Sequence, residues 1–548
     1  MNDIVDTPVL IIGGGPVGFA LALDLARRGQ RSTLIEREAG TALELLAKAG
    51  TLNERTMEIC RGWGIADHII NCGFPCDYPR DNVYCTALNG FFMGRDPLPS
   101  ADDRELPPTA AEKLRKCPQH LFDPILAQAA IATGLVDVRY ATRYDRLEQD
   151  TDGVTASVTS LADGRSYQVR ARYLVACDGG ASAVRQQLGM GWEGHKLDNS
   201  LSLMLRIPEL WKYHPWGKAE RFLCIGPNGT YANLTMVDGT EIYRHTLVGS
   251  QEMLNVDLID IRREVEKALG PDIPFEVLRT VPWWRAQMHA DRYRVGRVLL
   301  AGDSAHTTSP TGGHGLNTGI GDVQDLGWML GAMLSGWGGE GLLDAYGFER
   351  RLVAVRNCGN STQNYRAWID MSKEHVCDDS AMGAQQRQAV YESMSGSLQQ
   401  EWHSQGIGLG YRYEGSPVII ADGTPEPFDD PSTNVQTSRP GHRAPHGWIG
   451  DNRSTLDLFG NGFVLLRFPG APDPVAFETA AHRAAVPFRV VALVDPGIAA
   501  LYERKLVLVR PDGMVAWRGD AMPKDAARVI DIVRGVGVQD QSATIPQS

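Results

Sequence analysis

Val9-Leu10-Ile11-Ile12 is an unbroken apolar run, the pattern of a strand buried on both faces of a parallel sheet. Glycines follow it, then a helical apolar period from about Pro16 to Arg28, and after Gly29 a second strand, Ser32-Thr33-Leu34-Ile35. That order predicts a βαβ unit. The buried-strand pattern returns at Tyr173–Ala176 and at Val298–Ala301. Residues from about 154 to 169 alternate as strands do, and from about 200 to 285 the chain is strand-like and rich in Tyr, Trp and Thr, predicting an antiparallel sheet. Long helical stretches are predicted from about Asn317 to Leu334 and from Gly341 to about Met371. Between Ile420 and His446 prolines, glycines and small polar residues predict a linker or an extended crossing segment. Beyond it, Val464–Arg467, Phe488–Val494 and Leu506–Arg510 alternate with helical text, predicting a small C-terminal α/β domain.

Composition narrows the picture in three places. A chain of 548 residues exceeds the roughly 250–300 that one core accommodates, so two or three domains are expected. A net charge of −12 argues against nucleic acid or an anionic membrane as partner, because both demand clustered Lys and Arg. The nine cysteines are scattered, make no Cys-x-x-Cys pair and join no histidine at zinc spacing, so no metal is expected. The N-terminus is acidic where a signal peptide is basic, and no apolar run reaches membrane-spanning length. A cytoplasmic location is the expectation.

The candidate chemistry lies in three separated segments. Gly13-Gly14-Gly15-Pro16-Val17-Gly18 fits G-x-G-x-x-G between a strand and a helix. Gly13 permits the turn, Gly15 lets backbone approach a pyrophosphate, and Gly18 packs helix on strand, while the helix that starts at Pro16 offers free N–H groups from Val17 on. Glu36, with Arg37 beside it, closes the second strand, where a carboxylate accepts the hydroxyls of an adenosine ribose. Asp178-Gly179 closes the third buried strand. Gly302-Asp303-Ser304 closes the fourth and leads into Pro310-Thr311-Gly312-Gly313-His314-Gly315-Leu316-Asn317. Asp303 can accept from a ribityl hydroxyl, and the glycine-rich loop lets backbone approach a flat ring. The helix that starts near Leu316 turns its positive end to that ring and favours negative charge on it. His314 is expected to act through its backbone. Together the segments imply bound FAD.

Taken with Gln119-His120-Leu121-Phe122-Asp123, Leu343-Asp344-Ala345-Tyr346 and Glu349-Arg350-Arg351, they resemble the class A flavoprotein aromatic hydroxylases, similar to para-hydroxybenzoate and phenol hydroxylases. In that resemblance Gln119 contacts the ribityl or pyrophosphate region. The segments 440–446, 455–459 and 509–518 resemble the C-terminal thioredoxin-like domain of the phenol- and polyketide-hydroxylase branches; no cysteine follows Cys377, so dithiol chemistry is excluded there. The implied fold is α/β and α+β. A Rossmann-like FAD-binding domain spans 1–75, 115–190 and 286–400, and an antiparallel-sheet substrate domain spans 76–114 and 191–285. A linker over 401–440 leads to a thioredoxin-like domain over 441–548, with a structural or dimerising role.

The implied reaction consumes NADPH or NADH and O2 and hydroxylates a small phenolic substrate through a flavin C4a-hydroperoxide. A substituted phenol, catechol or nitrocatechol is one reading. A polycyclic aromatic polyketide, or a dehydrogenase or reductase activity on the same fold, is the alternative. Two positions depart from the family: Lys48 stands where relatives hold an Arg near the flavin, and Gly50 where they hold an Asp or His that assists the substrate hydroxyl. The base is therefore sought on the other wall of the cavity. His289 is the candidate, with Tyr231, Tyr243, His245, Trp283 and Trp284 as pocket residues.

Overall fold

The computed structural model describes residues 4–41, 49–250, 255–369 and 373–538. Its first sheet is ordered Arg294–Val295, Val298–Leu300, Ser166–Ala176, Ile4–Ile12, Ser32–Ile35, Val136–Arg139, and all but the first of these strands run parallel. The four buried runs of the sequence are thus direct neighbours: Ile12 pairs with Ile35 and Ala176, and Ala176 with Leu300. Helices Pro16–Arg27, Gln119–Ala132 and His314–Leu334 lie side by side and share one core with the sheet.

The second sheet is ordered His306–Thr307, Glu276–Ala290, Trp192–Arg206, Ile242–Ser250, Gly229–Met236, Arg221–Gly226, Asn82–Cys85, Phe92–Asp96. Its strands alternate in period two. Leu201, Leu203, Leu205, Leu234 and Tyr243 turn to one face and pack on Val265, Ala268 and Leu269 of helix Ile261–Leu269. Register places Asp198, Ser200, Ser202, Asn233, Thr235, Arg244, Thr246, Trp283 and Arg285 on the other face. One sheet face is therefore an apolar core and the other is polar.

The expected domain boundaries shift. Strand Glu276–Ala290 continues past 285, and His306–Thr307 joins the second sheet rather than the first. Helix Ala381–Trp402, expected in the cofactor domain, covers Tyr84, Leu223 and Ile225 of the second sheet. The C-terminal sheet is ordered Phe488–Ala492, Phe463–Arg467, Leu506–Val509, Val515–Gly519, with its first pair parallel and the rest antiparallel. With helices Val475–Arg483, Pro496–Tyr502 and Ala526–Val533, this is the thioredoxin-like arrangement.

The expected 401–440 linker needs correction. Tyr411, Tyr413 and Val418 are buried, because 405–420 packs between the domains, whereas 421–437 is exposed or half-buried. Tyr413 Oη donates to Asp325 and accepts from Arg350 Nη1 at 3.0 Å.

Burial also sets a pH limit on stability. Burial lowers the imidazole pKa of His214, His245, His314, His442 and His446 to about 4. Between roughly pH 6.5 and 4 the unfolded chain binds protons that these rings refuse when folded. Their contribution is complete above pH 6.5 and is lost as pH falls toward 4. The urea midpoint is expected to drop from pH 7.5 to 4.5, each imidazole costing at most about 1.4 kcal/mol for every pH unit crossed within that window. A midpoint constant between those pH values contradicts the assignment.

Candidate active site

The glycine loop is built from backbone outward. Gly13 has φ +107°, and a Cβ there would lie 2.4 Å from the Cys177 carbonyl oxygen, so the first and third buried strands touch through it. A Cβ on Gly18 would lie 2.0 Å from the Gly13 oxygen. Gly15 meets nothing within 4 Å; its face is open. The helix that follows begins with Pro16 and has neither a side-chain cap nor an acidic residue in its first turn, leaving its first N–H groups for an anion. Glu36 accepts from Gly14 N at 2.6 Å and from Glu38 N at 2.8 Å, which holds its carboxylate at the loop. Arg37 is exposed and pairs with Glu38 at 3.3 Å.

Val17 joins this loop to the third segment. Cβ atoms on Gly302 and Gly319 would lie 2.8 and 2.7 Å from Val17 Cγ2, so two glycines let the Asp303 turn and the following helix close on the first one. Asp303 is exposed and makes no side-chain hydrogen bond among the described residues. Its backbone neighbour is fixed: Asp322, fully buried, accepts from Gly302 N at 2.9 Å, His306 Nε2 at 2.8 Å and Arg350 Nε at 2.7 Å. Burial pushes the Asp322 pKa up, but His306, Arg350 and the Gly302 amide outweigh it and hold the carboxyl below its ordinary range.

Gly313, with φ +68°, caps helix His314–Leu334. Asn317 Oδ1 accepts from Asn53 N at 3.0 Å and Thr56 Oγ1 at 2.7 Å, while Nδ2 donates to Thr51 O at 3.0 Å and Gly313 O at 2.7 Å. Its amide is thus occupied by protein, and the side chain ties the loop to 51–56. His314 is buried against Asn360 Oδ1 at 3.1 Å. Pro310 is exposed, whereas Gly315 and Leu316 are partly exposed on the first helical turn. Gln119 Nε2 donates to Asp123 Oδ2 at 3.1 Å. Asp178 Oδ2 accepts from Ala183 N at 2.9 Å, and burial raises its pKa. The Gly180 that follows comes close to Thr307 and the Asp303 carbonyl, so all three segments converge. Lys48 lies outside the described residues.

On the polar sheet face lies a cluster of which the sequence singled out Trp283 alone. Arg285 is buried, binds Asp198 at 3.2 Å and Ser309 Oγ at 3.0 Å, and stacks on Tyr365 at 4.4 Å. Tyr365 Oη and Ser200 Oγ also donate to Asp198. Ser309 precedes the glycine-rich loop, so this cluster links sheet and loop. Trp283 shares that face and donates from Nε1 to Ser202 Oγ at 2.9 Å.

Four pocket expectations need correction, and so does the candidate base. Tyr243 and His245 point to the apolar face with helix Ile261–Leu269, and Tyr231 Oη donates to Thr86 O and Lys267 O on that same side. Trp284 is 37% exposed and packs under Lys196. His289 is half-buried, 3.8 Å from Glu193, whose carboxylate Arg351 holds. Burial and then Arg351 lower the His289 pKa. Those partners make an ion-pair cluster at the strand's end, not a substrate wall.

Residues 6–361 match the family described as "FAD binding domain", and 437–535 match "Aromatic-ring hydroxylase, C-terminal". The chain is 32% identical to tetracenomycin A2 monooxygenase-dioxygenase of Streptomyces glaucescens, covering 95% of each. It is 30% identical to 2,4-dichlorophenol 6-monooxygenase of Delftia acidovorans, covering 97% of this chain and 100% of that protein. Among solved structures, RebC with bound 7-carboxy-K252c superposes with TM-score 0.90 at 40% identity, over 98% of this chain and 100% of RebC. Aklavinone-11 hydroxylase in complex with FAD and aklavinone superposes with TM-score 0.80 at 30% identity, over 97% and 99%.

Proposed function

The chain belongs to the FAD-binding aromatic-ring hydroxylases, and from that premise we propose that it inserts one atom of O2 into an oxygen-bearing polycyclic aromatic substrate. NADPH or NADH is the electron donor. The observation that carries the reading is Asp303: an exposed carboxylate with no side-chain hydrogen bond among the described residues, beside an uncapped helix start, at a point where three segments converge.

The residues present fit FAD. The N–H groups of Val17 and Gly18 and the open face of Gly15 hold the pyrophosphate, and Glu36 takes the adenosine ribose beside Arg37. Gln119, Asp178 and Asp303 line the ribityl side; Pro310 and the backbone of Gly313, Gly315 and Leu316 take the ring, with Asn317 fixing their loop. When bound, FAD supplies electron transfer from NAD(P)H and activation of O2. The protein orients the aromatic ring against the Trp283, Arg285 and Arg244 face and excludes water from it.

A polycyclic substrate is favoured because relatives named for tetracenomycin and aklavinone are 32% and 36% identical and a structure holding 7-carboxy-K252c is 40% identical, against 30% for the dichlorophenol monooxygenase. A single-ring phenol is the second reading, supported by the dichlorophenol monooxygenase. Stopped-flow NAD(P)H oxidation with naphthols, hydroxyanthraquinones and chlorophenols tests the choice. Stimulation by the polycyclic compounds of at least tenfold over the chlorophenols is expected; the reverse order overturns it.

A further inference from the structure

Gly50 carries no side chain, and Lys116 lies against the place where one would start. A Cβ on Gly50 would lie 3.2 Å from both Nζ and Cε of Lys116. Lys116 is placed there by the short ladder in which Thr51 pairs with Lys116 and Cys117 N donates to the Gly50 carbonyl. The same Thr51 carbonyl accepts from Asn317 of the glycine-rich loop at 3.0 Å. Lys116 Nζ is thus one strand away from the proposed ring site.

The charge around it does not balance. Glu220 accepts from Lys116 Nζ and from Arg80 Nε, both at 2.7 Å, with side-chain exposures of 8%, 9% and 14% for Glu220, Lys116 and Arg80. Two cations share one carboxylate, leaving one net positive charge largely removed from water. Burial and then the neighbouring cations Arg80 and, from the polar sheet face, Arg244 push the Lys116 pKa down, against the pull of Glu220. Arg104 and Glu54 flank the group on the other side, where burial lowers the first pKa and raises the second. Lys116 Nζ has three N–H donors, and Glu220 is its hydrogen-bond partner among the described residues. An uncompensated buried cation is costly unless a ligand anion completes it.

We propose that Lys116 and Arg80, bridged by Glu220, form the subsite that binds an anionic oxygen of the aromatic substrate, a phenolate or a ring carboxylate. This rests on the hydroxylase reading and names the substrate feature that this wall selects. Lys116 replaces the position-50 side chain by donating to an oxygen that arrives already ionised or is ionised by that contact, and no proton acceptor at position 50 is then required. The group is a binding residue of the substrate, supplied from 66 positions along the chain (116 − 50).

The test uses the FAD-loaded protein and equilibrium dialysis of three probes at pH 8: 4-nitrophenolate, 4-nitrobenzoate and the neutral 4-nitrobenzamide. At least one anion is expected to bind about tenfold more tightly than the amide, the preference a charged hydrogen bond supplies. Preference for nitrophenolate alone assigns a ring hydroxyl, and preference for nitrobenzoate alone assigns a carboxylate. Lys116→Met should abolish the preference and Lys116→Arg should keep most of it. Because Lys116→Met strands a buried carboxylate, the double variant Lys116→Met/Glu220→Gln is measured beside it. Binding of both anions no tighter than that of the amide by the native protein, or a preference retained in the folded double variant, overturns the subsite. Hydroxylation of an aromatic by that same protein would leave the hydroxylase reading standing, whereas anion preference without any hydroxylation would overturn the reading instead.

Discussion

Replacing Arg510 by Ala is expected to cost about 3–5 kcal/mol of stability, the range for breaking a buried ion pair from one side. Arg510 donates to Glu349 at 2.6 and 2.9 Å and to Asp512 at 3.0 Å, and all three side chains are fully buried. Asp512 also accepts from Trp328 Nε1 at 2.8 Å. Glu349 and Trp328 belong to the cofactor domain's helices, so the pair joins the C-terminal domain to the FAD site from behind. Removing the guanidinium leaves two carboxylates in the interior. Arg510→Met combined with Glu349→Gln should recover part of the loss, because the charge left behind is smaller. The measurement is urea unfolding followed by tryptophan fluorescence. A loss below about 1 kcal/mol contradicts the network's role. By the same geometry, cutting the chain within 420–440 should destabilise the cofactor domain itself.

Asp322→Ala is the second large effect. It strands the Gly302 amide, His306 and Arg350 together, a loss of several hydrogen bonds to a buried carboxylate worth roughly 1.5–3 kcal/mol each before relaxation. Because Gly302 adjoins Asp303, the expected result separates into two readings: lower stability, and FAD retention reduced more than stability alone requires. Asp322→Asn, which keeps shape and one acceptor oxygen, should stabilise the loop better than Ala. Fluorescence titration of apoprotein with FAD checks this. Unchanged FAD affinity in a folded Asp322→Ala variant would contradict the account of the loop.

Three apolar runs, Val9–Ile12, Tyr173–Ala176 and Val298–Leu300, were legible because a strand buried on both faces leaves no polar position to confuse its period; Ser32–Ile35, which opens on two polar residues, was legible from its place after the first helix, and the four adjoin. The substrate wall was not. Aromatic and imidazole residues at 243 and 245 drew attention, yet Tyr243 and His245 are in register with Leu205 and Leu203 on the core face, and Arg244 and Thr246 face the other way. Parity with the leucines of 201–205 was the available signal. Proline-rich composition signalled an extended segment over 420–446, and 421–437 is exposed or half-buried, but it did not show the burial of Tyr413 or of 438–446, because partners such as Arg350 for Tyr413 and Glu58 for Arg443 lie far away in sequence. Lys116 was invisible for the same reason. A missing side chain at Gly50 says nothing about which distant residue enters the space.

Transfer of oxygen to an aromatic ring is the central claim, and O2 labelled with a heavy oxygen isotope tests it directly. FAD-loaded protein, NAD(P)H, labelled O2 and a hydroxylated polycyclic aromatic are incubated, and product mass is read. One heavy oxygen per product molecule, with one NAD(P)H consumed, is the predicted result. Label found only in hydrogen peroxide or water, with the aromatic unchanged across the panel, would contradict it.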